Sequence, residues 1–158
     1  MAIVVFIARI ALGALFVVAG VLKAHDGIAL TTSAVAAYRI LPTFLAAPVG
    51  VILPYFEIGL GAYLIAGLFV RAAGIVAAVQ LAVFAVAVAS LVVRKIPASC
   101  GCFGSGDQTP PSWGHVGVDL LLALVALAVA RYGPGLWSLD SRFGTGGASR
   151  ALGEPRSQ

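Results

Sequence analysis

Apolar residues run along this chain in four long blocks separated by short polar breaks. The first covers residues 2–22, is interrupted only by Arg9, and stops at Lys23-Ala24-His25-Asp26-Gly27. The second covers 44–69, holds Pro48, Pro54 and Glu57, and is closed by Arg71. The third, 72–93, contains Gln80 as its one strongly polar side chain and ends on Arg94-Lys95. The fourth, 113–132, opens with Trp113 and has Asp119 near its start. At about 1.5 Å of rise per residue, each block is long enough to cross a hydrocarbon core of roughly 30 Å. The expected fold is all-α, an integral membrane four-helix bundle.

The breaks differ in character. In 28–43, Ala34, Ala37, Tyr38 and Leu41 fall at helical spacing while Thr31, Thr32, Ser33 and Arg39 keep the segment polar, which predicts a short helix lying at the membrane interface. Segment 96–112 is turn-rich, with Pro97, Gly101, Gly104, Gly106, Pro110 and Pro111, and it holds both cysteines of the chain. The prolines of the second block should kink it or frame its start, with neighbouring helices repairing the lost hydrogen bonds. The organisation expected is a membrane domain over 1–132 and a Gly-, Ser- and Arg-rich disordered tail over 133–158.

Composition sharpens this picture. Hydrophobic residues make up 61% of the chain and charged residues 10%, against roughly 25% charged in a soluble domain. The mean hydropathy is +1.06. A soluble fold could not hide so much apolar surface. The net charge of +4 comes from basic residues dispersed among helix ends and tail. They form no patch for nucleic acid and read as membrane anchors. The start of the chain has no basic n-region and its apolar run exceeds a signal-peptide core, so the first block is expected to stay as a span. Gly13, Gly20, Gly50, Gly59, Gly61, Gly67 and Gly74 would let helix backbones approach closely in lipid.

With four spans, the cysteine loop shares its side with Lys23, Arg39, Arg94 and Lys95, while Arg71, Arg131, Arg142, Arg150 and Arg156 lie on the side of the termini. The basic residues tilt the termini slightly toward the cytoplasm of a plasma (inner) membrane. An oxidised cysteine pair persists outside the cytoplasm, which points the same way.

Candidate chemistry centres on Cys100 and Cys102, separated by Gly101. A disulfide across one residue closes a small ring that needs a permissive backbone, and strained, exposed disulfides are readily reduced. That spacing favours an exchanging pair over a structural clamp, which would gain stability chiefly from closing a long loop. Cys100, Cys102 and His115 could also meet a soft metal, but they do not complete a structural zinc site. His115 and Asp119 fall on one helix face at the head of the fourth span. There they could move the proton that thiol exchange requires, or be a solvated imidazole and a helix-start charge. Lys23 could lower a thiol pKa or simply snorkel to the interface. Arg9 and Glu57, ionisable residues inside the first two spans, invite pairing with each other, either as a proton or quinone site or as an ion pair holding the bundle together.

The run Cys100-Gly101-Cys102-Phe103-Gly104 after a third span resembles the methylamine-utilisation MauE family of the wider DoxX-like group. Arg9 with Leu12-Gly13 and Phe16, Ala19-Gly20 with Lys23, Tyr38 with Leu41-Pro42, and Pro54 with Glu57 agree with it. The fourth helix departs from the pattern, with Val118 before Asp119 where the family often has Arg. The resemblance implies an inner-membrane protein that supports maturation of the disulfide-rich small subunit of methylamine dehydrogenase, alongside a thioredoxin-like extracytoplasmic partner. Two other readings follow: a non-catalytic membrane scaffold, and a quinone-linked oxidoreductase subunit using Glu57 and Arg9.

Overall fold

A computed structural model of the chain describes residues 2–40, 42–96 and 109–133. It is all-helical, in the order α1 (Ala2–Asp26), α2 (Ile28–Ala37), α3 (Thr43–Ala66), α4 (Val70–Arg94) and α5 (Trp113–Tyr132). Four of these, all but α2, are long and apolar enough to cross a membrane. The protein is therefore a multi-pass membrane protein, as the four apolar blocks indicate.

Two helix ends differ from the blocks that announced them. α1 runs four residues past Leu22, because Lys23, His25 and Asp26 do not stop a helix. Gly27 does, with φ 85 and its amide bonded back to the Ala24 carbonyl at 3.3 Å. α3 ends at Ala66 rather than Phe69. Gly67 takes the left-handed conformation (φ 69), and the Leu68 amide donates to Tyr63 O at 3.1 Å, a Schellman closure that turns the chain directly into α4. Pro48 and Pro54 both sit inside α3, which continues through them.

The helices pair antiparallel. α1 packs most extensively on α3 and α4 on α5, while α1 against α5 and α3 against α4 join the two pairs. Small residues set the closest approach. A Cβ added at Gly13 would lie 2.9 Å from the Gly61 carbonyl oxygen, and one at Gly61 would lie 2.6 Å from that of Gly13. Gly20 meets Pro54 and Ile58 in the same way, and Gly74 of α4 meets Ala126 and Ala130 of α5. Gly59, by contrast, has nothing within 4 Å of its would-be Cβ.

Around these contacts Leu12, Phe16, Leu60, Leu64, Val70, Ala77, Leu81 and Ala126 form the main apolar core. A smaller cluster of Ala85, Val88 and Val116 lies toward the other end. α2 lies along the first half of α3, where Thr32 backs onto Gly50. The Thr31 hydroxyl, 3.1 Å from the carbonyls of both Lys23 and Gly27, ties α2 to the last turn of α1. Arg94, at the end of α4, donates to the carbonyls of Tyr38 and Arg39 at 3.2 and 3.3 Å. The ends of α1, α2 and α4 and the starts of α3 and α5 therefore gather at one end of the bundle.

Gly61→Ala should destabilise the bundle by about 1–3 kcal/mol, since its methyl meets the backbone of Gly13 and Val17 as well as the stiff Val17 side chain. Gly59→Ala should be neutral or slightly stabilising. Reversible unfolding in mixed micelles measures both, and equal effects would refute backbone contact as the reason for Gly61.

Candidate functional site

The polar groups inside the bundle come together near the end where α2 lies. Glu57 is 0% exposed on α3, and Lys23 of α1 is 5% exposed. The Lys23 ammonium lies 2.6 Å from Oε1 and 2.8 Å from Oε2 of Glu57. Gln80 of α4 donates from Nε2 to the same Oε1 at 3.2 Å. The ammonium also stands 5.1 Å from the centroid of the Phe84 ring, a cation–π distance. Helical side chains lean toward the helix N-terminus, so a lysine in the last turn of α1 is directed back into the bundle, toward Glu57. Lys23 therefore points inward and does not snorkel to the interface.

The expected pairing of Arg9 with Glu57 is not formed. Continuing the register set by Gly13 against Gly61 and Ile65 and by Gly20 against Pro54 and Ile58 brings Arg9 opposite residues 65–69, at the far end of α3. Lys23 and Arg9 are fourteen residues apart on α1, about 21 Å along the axis, which no arginine side chain spans. Arg9 is itself fully buried, with its guanidinium 5.3 Å from the Phe6 ring centroid. The proton or quinone site proposed for that pair thus loses its shared location.

Asp119, nearly two turns inside α5, is 9% exposed, and its Oδ2 has no hydrogen-bond partner among the described residues. His115, one turn earlier, has Nδ1 2.8 Å from the Ser112 hydroxyl. Glu57, His115 and Asp119 line one cavity of about 510 Å³. Its walls are mainly apolar, including Phe16, Leu81, Phe84 and Leu122. The exposed residues Thr109, Ser112 and Gly114 lie at its rim. A volume in the few-hundred Å³ range, apolar walls and a few convergent polar groups are the usual features of a small-molecule site.

Cys100 and Cys102 lie outside the described residues, as does the tail after Gly133. The segment holding the cysteines leaves from Ile96, just after α4, and returns at Thr109, on the rim of the cavity. Gln80, Phe84, Ser112 and Thr31 join the polar end without having been singled out as site residues. Only Gln80 carried a signal, as a lone amide in an otherwise apolar span.

The family model of methylamine utilisation protein MauE matches residues 1–132. The chain belongs to the MauE family. It is 36% identical over 94 residues to the methylamine utilization protein MauE of Paracoccus denitrificans, a stretch covering 59% of this chain and 50% of that protein. The MauE of Methylorubrum extorquens is 31% identical over 94 residues, with the same coverage. The aligned stretch spans about half the length of these relatives. No solved structure matches the chain.

Within this MauE-family bundle, two opposite charges buried in lipid tolerate the loss of neither partner alone. Lys23→Met and Glu57→Gln should each destabilise the protein by about 3–5 kcal/mol, because each leaves a buried polar or charged group unpaired. The double variant should be more stable than the Lys23→Met single, giving a clear coupling in a double-mutant cycle. Additive losses would show that the pair does not act as a unit.

Proposed function

We propose that this chain serves methylamine utilisation as a membrane thiol–disulfide exchange component acting through Cys100 and Cys102. The observation that carries this reading is the Cys-Gly-Cys pair in a chain with no other cysteine. Family membership, and the attachment of the cysteine segment beside the Asp119 cavity, support it.

In the exchange, the thiolate of one cysteine attacks a sulfur of a partner disulfide. A mixed disulfide forms and the partner's second sulfur leaves as thiolate. The remaining cysteine then attacks the mixed disulfide, releasing the partner as a dithiol and leaving Cys100 and Cys102 joined. Two electrons have passed to the partner. The reverse sequence oxidises a partner dithiol and returns the pair to its reduced form.

His115 is the group proposed to take the proton from the attacking thiol, with Asp119 one turn away to orient it. Lys23, engaged with Glu57, supports the thiolate only through its field. With a single cysteine pair, the chain needs a second redox protein to complete a cycle. A thioredoxin-like protein on the extracytoplasmic side, with the chain's termini in the cytoplasm, fills that role.

Cys102→Ala and Cys100→Ala should each be expressed with a candidate thioredoxin-like protein and run on non-reducing gels. One of the two should accumulate a mixed disulfide with that protein. No adduct from either variant, together with a wild-type pair that stays oxidised under mild reductant, would refute exchange and leave a scaffold. His115→Ala should slow adduct formation at neutral pH by about 100-fold if the imidazole is the proton acceptor. An unchanged rate would remove it from the mechanism.

A further inference from the structure

Asp119, given above only the part of orienting His115, presents a chemical imbalance that this role does not resolve. It is nine-tenths buried, lines the 510 Å³ cavity, and leaves Oδ2 without a hydrogen-bond partner among the described residues. The other carboxylate on that cavity, Glu57, is fully engaged, since both its oxygens bond the Lys23 ammonium and Gln80 adds a third contact. Around the cavity the described residues therefore supply two carboxylates and one ammonium, with the His115 imidazole held at Ser112. A buried acceptor with no donor is costly, and in native proteins it marks a place where something else supplies the donor.

We infer that the cavity is a binding site for an amphipathic molecule with an apolar body and a hydrogen-bond-donating head, an ammonium or a hydroxyl, whose head rests on Asp119 Oδ2. Three features select that class. The walls of Phe16, Leu81, Phe84 and Leu122 take an apolar body. The unsatisfied atom is a carboxylate oxygen, which accepts and does not donate when ionised. With Asp119 ionised, the charge balance of the cavity favours a cationic head over a neutral one and disfavours an anionic one. Phe84 already faces the Lys23 ammonium, so the wall is of a kind that tolerates a cation. The rim at Thr109, Ser112 and Gly114 is exposed, which gives a ligand a way in from the end of the bundle.

Binding at this cavity is read directly, without thiol turnover. The full chain in nanodiscs should be titrated calorimetrically with four molecules sharing a phenylbutyl body: protonated phenylbutylamine, phenylbutanol, phenylbutyrate and the corresponding ketone. Empty nanodiscs provide the baseline. Saturable binding is expected for the amine and more weakly for the alcohol, with the ketone and the carboxylate at least about tenfold weaker than the amine. Asp119→Asn should weaken the amine about tenfold or more. Leu122→Trp, which fills the cavity and leaves the carboxylate intact, should weaken both donor-headed probes. Circular dichroism establishes that each variant is folded, and a variant that fails to fold is replaced by the other. Equal binding of amine and alcohol would assign recognition to the donor rather than to its charge. Unchanged affinity in folded Asp119→Asn, phenylbutyrate binding as tightly as the amine, or no saturable binding beyond empty nanodiscs would overturn the site.

Discussion

The ion pair between Lys23 and Glu57 is the constraint on which the arrangement of this bundle turns. In a low-dielectric interior each charge alone carries a large desolvation penalty, and their attraction offsets it only when geometry brings both oxygens to the ammonium. That requirement fixes how α1 faces α3. Moving either helix by one residue rotates its side chains by about 100° and would strand two charges in apolar surroundings. Gln80 extends the constraint to α4 through its bond to the same carboxylate. Because α4 packs on α5, the placement of Asp119 follows from it as well.

Close packing makes the pair reachable. Gly13 against Gly61 and Gly20 against Pro54 bring the backbones of α1 and α3 into contact, which apolar side chains of ordinary size would prevent. The last turn of α1 is then held by the Thr31 hydroxyl on the Lys23 carbonyl, so the lysine is anchored by its backbone and by its side chain. The two ends of the bundle differ accordingly. Leu64, Val70, Ala77 and Ala126 pack together as a buried apolar core, whereas between Phe16, Phe84 and Asp119 the bundle holds an open cavity.

That division has a functional logic. In lipid, helix association gains little from apolar burial, so the close contacts of small residues along the helices supply van der Waals stability. The end near α2 can then carry polar groups and a cavity. The MauE-family motif is attached at this second end, through a segment that leaves after α4 and returns at the cavity rim. The cavity itself holds a histidine and two carboxylates, and the lipid-facing remainder of the bundle needs only to be apolar.

Much of the fold is legible in the sequence because lipid imposes a simple rule. A span must be long, apolar and helical, so four blocks announce four helices, and the Cys-Gly-Cys-Phe-Gly run announces the family. Helix ends are less legible: polarity after Leu22 looks like a boundary, yet backbone geometry at Gly27 and Gly67 sets where α1 and α3 stop. Least legible is pairing. Arg9 and Glu57 are the conspicuous charges inside the first two spans, whereas Lys23 sits in what reads as a terminal anchor. Only the antiparallel register, together with the inward lean of a side chain in the last helical turn, brings Lys23 to Glu57 and carries Arg9 to the opposite end. Depth and direction are properties of packed helices, and a one-dimensional pattern of polar and apolar positions encodes neither.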